Sequence, residues 1–256
     1  MKRRAFLTGA ASLLAQEPGS SGRPPRKVII GTVMQPFWVE HPGLEKRLDE
    51  LTGIVDRMRA ESQRKYGRGL DLAVLPEAAI TGETGNDSLS RSVPWKGAVA
   101  EVFTRLSREQ RCYLVVPSYF RDAPDRCSNG AVLVDRKGGV AGVYRKVHLV
   151  VATDGKTMEG GATPGNELPV FACDFGKLGI QICYDMEFDR GWRELAQKGA
   201  ELIAWPTQSP QTAQPAFRAM QQRCFIVSST WRDNASVFEP TGKIIAQVKP
   251  PGNILV

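Results

Sequence analysis

Apolar positions along this chain follow two different periods. Between residues 44 and 66 they recur three or four apart. Leu48, Leu51, Ile54, Val55 and Met58 then share one face, which predicts a long amphipathic helix. Elsewhere the apolar residues form short runs bounded by Gly, Pro and charged residues. These predict strands at 27–34, 71–75, 113–117, 130–135, 140–145, 169–173, 177–183, 201–205, 224–230, 235–238 and 243–249. Further helices are expected at 95–110, at 190–198 (ended by Gly199) and at 214–223, with residues 252–256 lying in what reads as a last strand. Strands and helices mixed in this way argue for an α/β fold of two packed sheets covered by helices.

Three of the strand-like runs deliver a chemical group at their ends. The run Leu178-Gly-Ile-Gln-Ile182 stops on Cys183, and Tyr184-Asp185 breaks the pattern before a helix that Asp189 is placed to cap. A thiol at such an elbow stands near turn N–H groups, an environment expected to lower its pKa and expose it to an electrophile. A buried structural cysteine fits the same run. The run Asp71-Leu-Ala-Val-Leu-Pro76 ends on Glu77, and Val140-Ala-Gly-Val-Tyr-Arg145 ends on Lys146 with His148 two positions on. Singly, Glu77 could be a solvated loop carboxylate and Lys146 a surface charge. Together they supply a base, a cation and a nucleophile.

Length and composition narrow the classes. The 256 residues suit one large α/β domain, and no internal repeat or long low-complexity segment occurs. Residues 1–26 stand apart. Lys2-Arg3-Arg4-Ala-Phe-Leu opens an apolar stretch rich in small residues that resembles a twin-arginine export signal, and Gln16 to Arg26 reads as linker. This gives a domain plan of signal and linker over 1–26 and a catalytic domain over 27–256. It implies an exported, periplasmic protein if the signal functions and a cytoplasmic one otherwise. The apolar stretch is too short to span a bilayer, so no stable membrane insertion is expected. Residues 1–26 also carry a net +4 of the formal +7, leaving +3 and no basic stripe interleaved with aromatics. Nucleic acid is therefore not an expected partner.

Cys112, Cys127, Cys173, Cys183 and Cys224 are odd in number and include no CxxC pair. Cys112 and Cys224 open apolar runs and suit the core, Cys127 falls in a polar stretch read as loop, and Cys173 ends a strand. With only His41 and His148, a His-rich zinc site is excluded. No phosphate-binding loop, Gly-x-Ser-x-Gly or dinucleotide fingerprint appears, so neither metal nor organic cofactor is implied.

The segments Leu75-Pro-Glu77, Tyr144-Arg-Lys146-Val-His148 and Gly179-Ile-Gln-Ile-Cys183-Tyr-Asp185, in that order, resemble the signatures of the nitrilase, or carbon–nitrogen hydrolase, superfamily. Ser128-Asn129-Gly-Ala-Val-Leu-Val-Asp135, Thr163-Pro-Gly165, Pro169-Val-Phe171 and Gly199-Ala-Glu-Leu-Ile-Ala-Trp-Pro-Thr207 add to the match, which runs from about Lys27 to the C-terminus. The resemblance implies a four-layer α-β-β-α sandwich and homodimers packed through helical faces. It assigns Cys183 as nucleophile, Glu77 as general base, and Lys146 with the Tyr184 N–H at the oxyanion. A second glutamate of the family is matched by Glu159, before the Thr-Pro-Gly turn, with Asp154 the other candidate. The pocket is expected from Met186, Glu187, Trp205, Pro206, Thr207 and Trp231; a core role suits either tryptophan equally well. Relatives usually continue beyond the point where this chain stops, and the oligomer is less certain for it.

The implied activity is hydrolysis of a small linear amide or N-carbamoyl compound through a Cys183 acyl-thioester, in a branch with amidases and carbamoylases. Nitrile hydrolysis and acyl transfer from the same thioester are the enzymatic alternatives. A non-catalytic scaffold on this fold is the alternative of another class, and degeneration at Glu77, Lys146 or Cys183 would favour it. None of the three is degenerate.

Overall fold

Sheets covered on both faces need strands that are apolar throughout, and the run Leu72-Ala-Val-Leu75 meets that need. Leu72 and Val74 point into the core between the two sheets, while Ala73 and Leu75 point into a second core under helices. A computed structural model describes residues 27–37, 40–83, 87–248 and 252–256. The export signal and linker expected over 1–26 lie outside the described residues.

One sheet has six strands: β1 (Ile30–Val33), β2 (Leu72–Val74), β3 (Tyr113–Ala123), β4 (Arg126–Val134), β5 (Val140–Arg145) and β12 (Ile254–Leu255). Their order is β12-β1-β2-β3-β4-β5, with β1, β2 and β3 parallel and the outer pairs antiparallel. The second sheet holds β6 (Val170–Cys173), β7 (Gly176–Ile180), β8 (Leu202–Pro206), β9 (Phe225–Ser229), β10 (Ser236–Phe238) and β11 (Ile244–Gln247), ordered β11-β10-β9-β8-β7-β6. Here β7, β8 and β9 are the parallel trio. The two sheets therefore repeat one plan: three parallel central strands with antiparallel strands outside.

Helices α1 (Leu44–Tyr66) and α3 (Ala98–Gln110) cover the first sheet, burying Leu48, Leu51, Val55 and Met58 with Phe103 and Leu106. The turn α2 (Ser88–Arg91) precedes α3. Helices α4 (Asp189–Gln197) and α5 (Ala213–Gln222) lie on the second sheet through Trp192, Leu195 and Ala219. Gly179 of β7 is what lets α4 approach: a Cβ there would sit 3.1 Å from Leu195 and 3.3 Å from Ile203. This gives the expected α-β-β-α sandwich. The sheets also meet directly, where the Ser229 hydroxyl donates to the Val33 carbonyl (3.0 Å) and the Thr32 hydroxyl to the Ser228 carbonyl (2.6 Å).

Several local expectations are corrected. Asp189 occupies the first turn of α4 rather than its cap; its carboxylate pairs with Arg193 and Arg218 at 2.6 and 2.7 Å. Cys127 lies buried within β4, because the β3–β4 hairpin extends well past the apolar residues that marked it. Polar residues at the hairpin tip had hidden that extension.

At the end of the sandwich where β2 and β7 begin, Arg136 joins the sheets. It donates to Asp71, just before β2, at 2.7 Å and to Asp174, in the β6–β7 turn, at 2.7 Å.

Candidate active site

Beyond the opposite ends of β2, β5 and β7, Glu77, Lys146 and Cys183 come together, the first two buried and Cys183 partly exposed. Lys146 donates to Glu77 Oε1 at 3.0 Å and to Glu159 Oε1 at 2.6 Å, with all three side chains almost fully inaccessible. Glu159 thus takes the place expected of the second glutamate, and Asp154 does not: it is exposed in the loop, beside Lys156.

Two residues that sequence reasoning left without a role complete this cluster. Asn129 of β4 spends both hydrogens of its amide on carboxylates, donating to Glu77 Oε1 (2.9 Å) and Glu159 Oε2 (2.8 Å). Tyr119 of β3 donates to Glu159 Oε2 at 3.1 Å, and the Val150 N–H to Glu159 Oε1 at 3.0 Å. Burial and then Glu159 hold the Tyr119 phenol well above its usual range, so it remains a donor. Glu159 is thereby saturated. Glu77 is not, since its buried Oε2 takes no donor among the described residues. That lone-paired oxygen is the one free to accept a proton.

Burial alone would lower the Lys146 pKa. Glu77, Cys183 and Glu159 outweigh it, and the ammonium is held well above its ordinary range. Lys146 is therefore a fixed positive charge, suited to an oxyanion and unsuited to proton transfer.

Cys183 opens a 3-10 turn after β7 and adopts φ of 43°, the left-handed region that a side chain disfavours. Ala78, immediately after Glu77, does the same at 53°. Cys183 and the residue after Glu77 thus sit at strained turns, where surrounding structure must fix the backbone. The expected lowering of the thiol pKa is overturned. Burial first, and then the charge of Glu77, push Cys183 up to about 12, against the opposing effects of Lys146, the Thr207 hydroxyl and the Gln208 N–H. Desolvation outweighs the turn donors that the sequence argument counted on. Cys183 is therefore held as a thiol at neutral pH.

The expected pocket residues divide. Trp205 is fully buried and donates its indole N–H to the Cys183 carbonyl at 3.1 Å, so it braces the nucleophile turn and presents no surface to a substrate. Trp231, also fully buried, bonds the Glu77 carbonyl. Thr207 is buried beside the thiol. Met186 and Pro206 are buried too, whereas Glu187 is exposed and accepts from Gln214 at 2.8 Å. Tyr184 is half-buried, its ring edge-on to Phe188. Among the described residues no group of His, Cys, Asp or Glu is arranged to hold a metal ion.

The carbon-nitrogen hydrolase family model matches residues 42–254. The chain belongs to the carbon–nitrogen hydrolase family. Among curated proteins it is similar to the deaminated glutathione amidase of Homo sapiens, 30% identical over 218 residues that cover 73% of this chain and 66% of that protein. The chain spans between 55% and 66% of the length of the mammalian deaminated glutathione amidases it matches. Among solved structures, a carbon–nitrogen hydrolase from Helicobacter pylori superposes with a TM-score of 0.76 at 17% identity, covering 89% of this chain and 87% of that one. An amidase from Nesterenkonia sp. AN1, carrying the acetamide moiety of fluoroacetamide on its active-site cysteine, gives a TM-score of 0.73 at 20% identity. It covers 89% of this chain and 88% of its own. These likenesses establish the nitrilase-type sandwich.

Proposed function

We propose that the protein hydrolyses a small linear amide or N-carbamoyl compound through an acyl-thioester on Cys183. The observation that carries this reading is the division of labour around Lys146. One carboxylate, Glu159, is saturated by donors, and the other, Glu77, keeps a buried oxygen without a donor among the described residues while its charge acts on the Cys183 thiol.

In this reading Cys183 Sγ attacks the carbonyl carbon while Glu77 takes the thiol proton, which the high thiol pKa makes necessary. Negative charge grows on the carbonyl oxygen and is met by the Lys146 ammonium and the Tyr184 N–H. The tetrahedral species collapses by breaking the C–N bond, and Glu77 delivers its proton to the departing nitrogen. Water then gives a proton to Glu77 and attacks the thioester. The C–S bond breaks, releasing the acid, and the thiolate recovers the proton from Glu77. The active-site cysteine of the Nesterenkonia amidase, which takes up the acetamide moiety of fluoroacetamide in a mutant of that enzyme, is a precedent for a nucleophilic thiol on this fold. A homodimer joined through helical faces belongs to the same proposal, supported by Phe217 and Met220 of α5, which are about half exposed (50% and 51%).

The test is ammonia release from a panel of amides and N-carbamoyl amino acids, with intact mass recorded in parallel and Cys183→Ala as control. Turnover with an acyl adduct that Cys183→Ala abolishes is the expected result. Equal activity in Cys183→Ala would refute the mechanism.

A further inference from the structure

A carboxylate that the chemistry does not use lies directly behind the nucleophile. Asp185 has no exposed surface, and its two oxygens together accept four bonds. Oδ2 takes the Ile182 N–H at 3.0 Å and the Tyr144 hydroxyl at 2.7 Å. Oδ1 takes the His148 N–H at 2.9 Å and lies 3.0 Å from His148 Nδ1. Because a carboxylate only accepts, this arrangement assigns the imidazole proton to Nδ1. The backbone of Asp185 is fixed as well: its N–H donates to the Ile182 carbonyl at 3.0 Å, and its own carbonyl accepts the Trp192 indole N–H at 3.0 Å.

The placement of the donors is the informative part. Tyr144 and His148 flank Lys146 by two residues on each side, and Ile182 immediately precedes Cys183. A single side chain thus grips the lysine segment at two points and the cysteine turn at a third. We infer that Asp185 is a positioning residue: it sets the placement of the Lys146 ammonium relative to the Cys183 sulfur and holds Cys183 at its left-handed φ. This inference rests on the thiol chemistry proposed above.

Two physical considerations favour this over a general folding role. A buried carboxylate is costly to desolvate, and this one is offset by donors drawn from just the two segments that carry Lys146 and Cys183. Its retention is explained by geometry, since only an acceptor-only group can satisfy four converging donors. The left-handed backbone at Cys183 also needs an external constraint, and the Ile182–Asp185 bonds close a ring around that very residue.

The test compares Tyr144→Phe and Asp185→Asn with wild type by thermal unfolding, by kcat and KM, and by the iodoacetamide labelling rate of Cys183 followed by peptide mass. Tyr144→Phe removes one grip while keeping the ring, so it keeps the inference testable if Asp185→Asn does not fold. We expect a folded Tyr144→Phe protein with nearly unchanged KM and kcat lower by about 10- to 100-fold, the scale of a small misplacement of reacting groups. Cys183 labelling should slow in parallel, as the thiolate loses its ammonium partner. Labelling that is unchanged or faster in a folded variant would overturn the inference, as would a kcat loss matching only the unfolded fraction. Labelling displaces iodide and needs no amide hydrolysis, so a wild-type protein that hydrolyses no amide would refute the hydrolase reading and leave this one separately decided.

Discussion

Trp231 donates its indole N–H to the backbone carbonyl of Glu77, 154 positions earlier in the chain, at 2.8 Å. Trp205 does the same for Cys183 at 3.1 Å. Cys183 itself and Ala78, just after Glu77, adopt left-handed backbone, and each turn is tied to a fully buried tryptophan, Trp205 in the core of the second sheet and Trp231 in the helix-covered core of the first. Tryptophans that were candidates for substrate contact are instead braces.

Trp231→Phe should therefore cost function out of proportion to packing. The ring volume is largely kept, but the Glu77 carbonyl loses its donor in a dry environment. We expect a loss of about 1–3 kcal/mol of stability from the orphaned group and a fall in kcat that exceeds any change in KM. Urea unfolding beside steady-state kinetics measures both.

The pH dependence of Cys183 labelling follows from its raised pKa. With the thiol near 12, thiolate is scarce at neutral pH and grows with every unit of alkalinity. Labelling of the free enzyme should rise about tenfold per pH unit between pH 7 and 10 without a plateau. Glu77 is one of the causes of that rise, so Glu77→Gln should label faster than wild type at the same pH. The same substitution should abolish turnover. A variant more reactive toward iodoacetamide yet dead toward amides would separate thiolate formation from general-base catalysis; slower labelling in Glu77→Gln would contradict it.

Gly165→Ala should disturb Lys146 from outside the cluster. The Gly165 N–H donates to the Lys146 carbonyl at 2.8 Å, and a Cβ at position 165 would lie 2.4 Å from the Arg145 carbonyl oxygen. Backbone rather than a flexible side chain is in the way, so the lysine segment must shift. The expected result is a destabilisation of about 1–3 kcal/mol and a reduced kcat, checked by thermal melts and kinetics on the soluble variant.

Asn129→Asp is the nearest isosteric change and should be severe. It replaces a double donor by a third carboxylate facing Glu77 and Glu159, with Lys146 as their shared ammonium. Because a buried pair broken in this way costs about 3–5 kcal/mol, we expect low stability and at least a hundredfold loss in kcat/KM. Asn129→Ser, which is shorter and uncharged, should be milder on the melt, and calorimetry of the two variants tests that order.

Much of the architecture could be read from periodicity, because it depends on near neighbours. The helix at 44–66 appears where its apolar stripe placed it, and the ends of the runs at Glu77, Lys146 and Cys183 mark the cluster. What escaped was whatever depends on partners far away in sequence. Asn129 carries no periodic or capping signal, and its role exists only because β4 lies between the segments bearing Glu77 and Glu159. The thiol pKa was misread for a related reason. Turn donors near Cys183 are local and visible, whereas the burial that overrides them comes from the whole sandwich. The strand β4 was drawn too short because Arg126 and Ser128 look like loop residues, although their backbone pairs with β3.

The bridge of Arg136 to Asp71 and Asp174 has a reach its surface position conceals. Asp71 immediately precedes β2, which leads on to Glu77, and Asp174 sits in the turn before β7, which leads on to Cys183. Six residues separate Asp71 from Glu77, at most about 20 Å of fully extended chain. It acts as the pivot of a pair of tongs whose tips carry Glu77 and Cys183. Loosening the handle at Asp174, on the outside of the molecule, would be felt at the tips as lost alignment.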